Sequence, residues 1–171
     1  MHVEHYIRIN FNTFRTGIEA VGGVEVELTE AEATYFRDGH IKADAKAGVN
    51  YLNGEEALAY ARLREIDSDW KRIQRQRTVI QAAVNKTTSM SLLELNALVD
   101  KVLPLVKTNL TDMKIAELAL LLPGLRGVTF EQMTIPAKGT YGSMKGMGGR
   151  SLFAVDFDAN ADILRELLYG Y

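Results

Sequence analysis

The stretch Leu52–Gln76, LNGEEALAYARLREIDSDWKRIQRQ, predicts two helices that meet at a polar corner. Asn53-Gly54-Glu55-Glu56 is typical of a helix start, and the residues after it continue the helix toward Arg64. Asp67-Ser68-Asp69 offers a cap for the second helix. The apolar positions of that second helix fall on one face and are expected to point into the core: Ile73, Ile80, Ala83 and Val84.

Strand and helix signals alternate on either side of this pair of helices. Alternation of apolar and polar residues predicts strands at 6–11, 24–28, 128–135 and 152–157. Residues 37–50 are interpreted as a loop and residues 139–149 as a glycine-rich hairpin. Further helix starts are predicted at Asn12, Thr29, Ser91, Thr111 and Asp158. This order of elements indicates an α/β fold, in which one mixed sheet is covered by helices on both faces.

Length and composition indicate one globular domain over residues 1–171, with 47% hydrophobic and 25% charged residues. A net charge of −2 and a pI near 5.9 disfavour a general attraction to polyanions, and no nucleic-acid partner is expected. The absence of cysteine excludes disulfides, thiolate metal ligands and a cysteine nucleophile. No run of residues approaches the ~20 apolar positions of a membrane span.

Five of the eleven arginines lie between residues 62 and 77, a window of net charge +3 in a chain of net charge −2. Helix spacing and the corner between the two helices bring a polar set together: Arg62, Arg64, Arg72, Arg75 and Gln76. Guanidinium groups and a helix N-terminus suit the capture of phosphate or carboxylate, so an anion-binding site is one interpretation. The other is a solvated face with Arg–Asp pairs, such as Asp69 with Arg72.

The central motif resembles the hallmark of the LytR-CpsA-Psr family, which here extends over Leu52–Arg64 and Asp67–Gln76. Other segments are similar to the motifs in the first third of that family, namely Val3–Phe11 and Ala20–Val26. Two more resemble its C-terminal end: Ile135–Tyr141 and Leu167–Gly170. The resemblance covers nearly the whole chain.

The resemblance implies a three-layer α/β/α sandwich with a central mixed sheet, located outside the bacterial membrane in the cell envelope. Family members transfer an anionic glycopolymer, of the teichoic acid or capsular polysaccharide type, from a polyprenyl-pyrophosphate carrier to peptidoglycan. The implied chemistry is phosphoryl transfer, in which charge on the transferred group must be neutralised.

Carried over to this sequence, the resemblance assigns six catalytic residues: Arg62, Arg64, Asp69, Arg72, Arg75 and Gln76. The four arginines are expected to bind the pyrophosphate. The other two residues are expected to orient the arginines or the attacking group.

The chain departs from the family pattern before Val3, where the family has a further segment with magnesium-binding aspartates and another functional arginine. The resemblance therefore implies a Mg²⁺ cofactor held by that segment, and membrane attachment through an anchor outside this chain. Residues 1–171 are then expected to be the larger C-terminal portion of the family domain. The alternative is a non-catalytic module that binds a polyprenyl phosphate or another polyanion, or a transcriptional attenuator, inactive because it is truncated.

Three weaker signals have simpler explanations. The Leu-rich helices at 91–106 and 112–122 are explained by core packing, although the resemblance implies that they wall a tunnel for the polyprenyl chain. Gly142–Gly149 lacks the Lys-Ser/Thr ending of a phosphate-binding loop and is interpreted as a hairpin. His2, His5 and His40 lack partners at metal-ligand spacing, so no histidine metal site is expected.

Overall fold

The computed structural model of the protein describes residues 4–121, 124, 128 and 132–170. The chain separates into two compact units, residues 1–128 and residues 129–171, and each is described by itself. All of the residues predicted to bind an anion lie in the first unit.

Short strands and longer helices alternate in the first unit. In chain order its described elements are β1 (Ile7–Arg8), α1 (Phe11–Ala20), β2 (Val24–Leu28), α2 (Glu30–Asp38), β3 (Gly48–Leu52), α3 (Gly54–Arg62), α4 (Asp69–Thr87), α5 (Leu92–Val102), a 3₁₀ turn (Leu103–Leu105), β4 (Lys107–Thr108) and α6 (Asp112–Leu121). Strand β1 pairs antiparallel with β4, and β2 pairs antiparallel with β3.

Local capping chemistry sets the starts of three of these helices. The side chains of Thr29, Asn53 and Ser91 each accept a bond from the backbone N–H three residues on, where a glutamate returns the bond. These reciprocal bonds satisfy backbone donors that a helix start leaves free. The helix starts predicted at these three positions are confirmed.

The core of the first unit lies between the β2–β3 ladder and the helices. Val24, Val26 and Leu28 are buried, whereas the intervening Glu25 and Glu27 are exposed. The period-two alternation therefore turns one face of the ladder to the core and the other to solvent, as an antiparallel pair allows. Other fully buried side chains complete this core: Phe36, Leu52, Leu63 and Val79.

The second unit contains a hairpin and a helix. Strands β5 (Tyr141–Lys145) and β6 (Ser151–Val155) pair antiparallel, which confirms the glycine-rich hairpin, and α7 spans Phe157–Tyr169. Buried Asn160 joins the helix to the hairpin base, because its side chain accepts from Ala137 N at 2.8 Å and donates to Thr140 Oγ1 at 2.7 Å. Gly170 ends the helix in a left-handed conformation with φ of 74°.

The predicted α/β class is confirmed, but the strand arrangement differs from the expected central mixed sheet. In the described part of the chain the strands form three separate two-stranded antiparallel ladders. Helix α2 and the loop after it reverse the chain, so Val24 pairs with Leu52 and Leu28 with Gly48. A parallel pairing would instead need a crossover that restores the chain direction.

Several predicted boundaries were wrong for local reasons. Asn10, not Asn12, caps α1, because its side chain accepts from Thr13 N at 2.8 Å, and this shortens the first strand to two residues. Strand β3 begins inside the predicted loop at 37–50. Asp156 rather than Asp158 caps α7. Of the strand predicted at 128–135, residues 129–131 lie outside the described residues, and 132–135 are not a strand.

Candidate anion-binding site and apolar groove

Three charged side chains meet where α3 gives way to α4. Arg64 donates from Nε and Nη2 to Asp69 Oδ1 at 2.9 and 2.6 Å, and Arg72 Nη1 lies 3.2 Å from the same oxygen. The hydrogen bond from Arg64 is the main reason that the pKa of the Asp69 carboxyl lies below its ordinary value. Asp69 therefore holds two guanidinium groups side by side at the start of a helix, where backbone N–H groups also point outward.

Arg72 retains an unused donor. Its side chain is 25% exposed, and its buried Nε has no hydrogen-bond partner among the described residues. Leaving a buried charged donor without an acceptor is costly, and an anion beside it would remove that cost. The Arg–Asp pair at 69 and 72, expected under the solvated-face interpretation, is present, and it leaves the buried Nε of Arg72 without an acceptor among the described residues.

Arg62, the last residue of α3, contacts helix α1. Its guanidinium carbon lies 4.6 Å from the ring centroid of Phe11, the first residue of α1, in a cation–π contact. Gln76 donates to the carbonyl of Ala61 at 3.3 Å, which ties α4 to the end of α3 beside Arg62. We refer to Arg62, Arg64, Asp69 and Arg72 as the arginine corner.

Arg75 does not belong to this exposed set. It is 3% exposed; its Nε donates to Glu32 Oε1 at 2.6 Å, its Nη1 to the Leu63 carbonyl at 2.9 Å, and its Nη2 to Asp67. Burial lowers the pKa of Arg75, but the hydrogen bonds to Asp67 and Glu32 outweigh it, so the net shift is upward. The sequence placed Arg75 on the pyrophosphate; the structure places it beneath the corner, with its donors directed at protein acceptors.

An apolar groove of about 470 Å³ is lined in part by the later turns of α4. Side chains of α1, α4, α5 and α6 line it, and Thr13 and Thr108 are the polar residues among the described lining. Ile80 is 58% exposed and lines this groove, while Val79 beside it is fully buried. Of the stripe expected to point into the core, Ile80, Ala83 and Val84 line the groove, whereas Val79 was not part of the predicted stripe.

Helix α4 connects the corner to the groove. Arg72 and Gln76 share a face with Ile80 and Ala83, which line the groove one to three turns further along. At 1.5 Å per residue, Arg72 and Ile80 are separated by about 12 Å along the axis. One helix thus presents a cationic end and an apolar end along a single face.

Helix α1 also extends from the arginine corner to the apolar groove. Its first residue, Phe11, contacts Arg62, and the following turns supply Phe14, Gly17 and Ile18 to the groove wall. Both Phe11 and the buried Glu32 were missed in the sequence analysis. Glu32 was visible as the glutamate that closes the capping box begun by Thr29, but no local signal links it to Arg75, which lies 43 positions away.

The carboxylates near the arginine corner do not fit a Mg²⁺ site. Asp69 is paired with Arg64 and Arg72, and Glu32 and Asp67 are paired with Arg75. No group of three potential metal ligands occurs within the described residues. Across the same residues, no helix combines the length and the apolar character that a membrane crossing requires.

Curated bacterial relatives of this chain include proteins named as teichoic acid transferases. A polyisoprenyl-teichoic acid–peptidoglycan teichoic acid transferase, TagU of Oceanobacillus iheyensis, is 34% identical over 142 residues, covering 81% of this chain and 42% of the relative. TagU of Bacillus subtilis is 32% identical over 168 residues, covering 96% of this chain and 51% of the relative. The chain spans about half the length of these relatives.

The fold comparison agrees with the sequence comparison. The crystal structure of B. subtilis TagV superposes with a TM-score of 0.74 at 26% identity, covering 99% of this chain and 64% of that one. The profile of the LytR_cpsA_psr family matches residues 1–167, which include the arginine corner, both walls of the groove and the C-terminal helix. The chain belongs to the LytR_cpsA_psr family.

Proposed function

We propose that this chain binds an anionic glycopolymer on a polyisoprenyl pyrophosphate carrier and serves its transfer to peptidoglycan in the bacterial cell envelope. The observation that carries the proposal is the single face of α4, with Arg72 at one end and the apolar groove at the other. That arrangement matches an amphiphile with a phosphate head and a hydrocarbon tail. The names of the two TagU relatives, which combine polyisoprenyl, teichoic acid and peptidoglycan, support the same ligand class.

The arginine corner would take the pyrophosphate. Arg64 and Arg72 are held side by side by Asp69. The Nε of Arg72 is buried and has no acceptor among the described residues, so a shift of this side chain that uncovers it would give a phosphate oxygen a further donor. Arg62 would add a third positive charge from above the ring of Phe11. Charge-assisted bonds of this kind are about twice as strong as neutral ones, which suits recognition of a doubly phosphorylated head.

The apolar groove would take the first isoprene units of the carrier. Burial of a hydrocarbon chain contributes about 0.8 kcal/mol per methylene group. A few buried isoprene units would therefore add several kcal/mol to the binding free energy that the head group supplies. Gly17 supports a function beyond core packing, because a Cβ at this groove-lining position would meet nothing within 4 Å. The groove wall therefore has open space beside Gly17 that a hydrocarbon chain could occupy.

The proposed reaction is an in-line phosphoryl transfer. A hydroxyl oxygen of the acceptor sugar forms a bond to the phosphorus that carries the glycopolymer, and its proton passes to solvent. The bond from that phosphorus to the bridging oxygen breaks, and the polyisoprenyl phosphate leaves with the electron pair. Arg62, Arg64 and Arg72 would balance the negative charge that spreads over the phosphate oxygens.

The resemblance assigns the implied Mg²⁺ ion to a further segment of the family domain, where it would help to neutralise the charge on the phosphates. The described carboxylates beside the corner are committed to arginines, so the chain's own contribution is derived from its guanidinium groups alone. Anchoring at the membrane and the identity of the polymer, whether a teichoic acid or a capsular polysaccharide, are further parts of the same proposal.

Binding of farnesyl pyrophosphate, measured by isothermal titration calorimetry, tests the proposal. We expect it to bind more tightly than either farnesol or inorganic pyrophosphate, because only it engages both the corner and the groove. Arg72→Ala should weaken binding about 10- to 100-fold, the equivalent of one or two charge-assisted bonds. Gly17→Leu, which fills part of the groove, should weaken the binding of farnesyl pyrophosphate and leave the binding of inorganic pyrophosphate unchanged.

Arg165→Ala is the matched control. Arg165 pairs with Asp162 at the same three-residue helix spacing as Asp69 and Arg72, but in the second unit. This variant should bind as the wild-type chain does. Unchanged affinity in both Arg62→Ala and Arg72→Ala, with circular dichroism showing intact folds, would overturn the proposed function.

A further inference from the structure

A buried ion pair lies directly beneath the arginine corner. The side chains of Glu32 and Arg75 are 7% and 4% exposed, and Arg75 Nε lies 2.6 Å from Glu32 Oε1. Two charges removed from water need close mutual contact, and the loss of either partner leaves the other uncompensated. The pair joins the first turn of α2 to the second turn of α4.

Glu32 is itself held rigidly. Its Oε2 accepts from the backbone N and the hydroxyl of Thr29, at 2.8 and 2.9 Å, while Oε1 is left to Arg75. Thr29 follows directly after β2, whose inward side chains belong to the core. Through Glu32 and Thr29, Arg75 is therefore anchored to the end of a strand whose inward side chains are buried in the core.

The remaining donors of Arg75 hold the loop between α3 and α4. Nη1 bonds to the carbonyl of Leu63 and Nη2 to the carboxylate of Asp67, so the loop is gripped on both sides of Arg64. Asp69, which aligns Arg64 with Arg72, follows two residues after the second of these contacts. The hydrogen bonds of Arg75 thus fix the loop that orients the guanidinium groups of Arg64 and Arg72.

Resting on the proposed function, we infer that Glu32 is a positioning residue: through Arg75 it holds the arginine corner in the geometry that binds the lipid pyrophosphate. Glu32 touches no ligand in this account and lies outside the central motif. Thr29 and Arg75 contact different oxygens of Glu32, and a glutamine keeps an acceptor at only one of these two positions and carries no charge, so it cannot serve both partners as Glu32 does. Glu32→Gln should therefore loosen the corner without removing any of its arginines.

Two measurements on the whole chain test this inference. The first is the affinity for farnesyl pyrophosphate and for farnesol, which separates recognition of the head from recognition of the tail. The second is the solvent exchange of the Arg64 and Arg75 Nε–H groups by ¹H–¹⁵N NMR, which needs no ligand. Glu30→Gln is the control, because Glu30 lies in the same helical turn and pairs with Arg37 at 3.0 Å on the exposed side.

We expect Glu32→Gln to bind farnesyl pyrophosphate about tenfold more weakly, since small displacements of binding groups are costly, and to bind farnesol unchanged. The exchange of both Nε–H groups should accelerate in this variant and not in Glu30→Gln. If Glu32→Gln fails to fold, Asp67→Asn, which loosens the same loop from its exposed side, should give the same pattern.

A folded Glu32→Gln variant with wild-type affinity for farnesyl pyrophosphate would overturn the inference. An equal loss of affinity for farnesol would also overturn it, since that outcome means general damage to the fold. Failure of the wild-type chain to bind farnesyl pyrophosphate would instead overturn the proposed function. The NMR comparison would still report whether Glu32 holds Arg64.

Discussion

Arginines three residues apart on one helix have opposite environments. Arg72 is partly exposed and its Nε has no acceptor among the described residues, whereas Arg75 is enclosed by Glu32, Leu63 and Asp67. An exposed guanidinium can exchange protein partners for a ligand at little cost. A buried guanidinium cannot exchange partners in this way, because its removal would leave two carboxylates unpaired, one of them buried.

At the residue scale, Arg75→Ala should therefore lower the free energy of unfolding by about 3–5 kcal/mol, the cost of breaking a buried ion pair. Arg64→Ala, which removes an exposed guanidinium from Asp69, should leave it nearly unchanged. Urea denaturation followed by circular dichroism measures both. If Arg75→Ala proved as stable as Arg64→Ala, Arg75 would not have the structural role assigned to it here.

The starts of α3 and α4 differ in how much a side-chain cap contributes to their stability. Asn53 accepts from the Glu56 N–H at 3.0 Å and receives the reciprocal bond at 2.9 Å, so α3 begins at a complete capping box. Ser68 occupies the cap position of α4 but makes no side-chain cap bond. The start of α4 depends instead on tertiary contacts, including those of Arg75.

At the element scale, Asn53→Ala should lower the free energy of unfolding by about 1 kcal/mol, as the loss of a helix cap does. Ser68→Ala should cost much less, because no cap bond is lost. Thermal and urea unfolding of the two variants provide the comparison. A larger loss from Ser68→Ala than from Asn53→Ala would contradict the assignment of α4 as a helix held by tertiary contacts.

The stability of the whole first unit should depend on alkaline pH through Tyr60. Burial, followed by the nearby charge of Glu32, raises the pKa of Tyr60 to about 12. The unfolded chain releases this proton near pH 10, below the folded value. The contribution of Tyr60 to stability is therefore complete below pH 10 and is lost as the pH rises through about 12.

This dependence can be measured as the urea midpoint between pH 9 and 12. The wild-type midpoint should fall over this range, and Tyr60→Phe, which keeps the ring that packs edge-on against Phe36, should flatten the fall. An equally steep fall in Tyr60→Phe would assign the alkaline loss of stability to other groups.

What the sequence determined by itself was local or motif-based. The caps at Thr29, Asn53 and Ser91, the alternation of β2 and the glycine-rich hairpin involve residues close in the chain, and each was predictable. The family was also recognisable, because its central motif is a continuous run. The boundaries that failed, at Asn10 and Asp156, depended on which of two nearby polar residues formed the cap bond.

Only the tertiary structure decided which arginines are exposed and how the strands pair. Arg72 and Arg75 have the same charge and neighbouring positions, and burial by Glu32, from 43 residues away, separates their roles. The groove forms likewise from helices that are distant in sequence, so the leucine-rich helices looked like ordinary core. Burial and long-range pairing depend on how elements pack against one another. Helical or strand periodicity predicts which face of an element is apolar, but not which other element packs against that face.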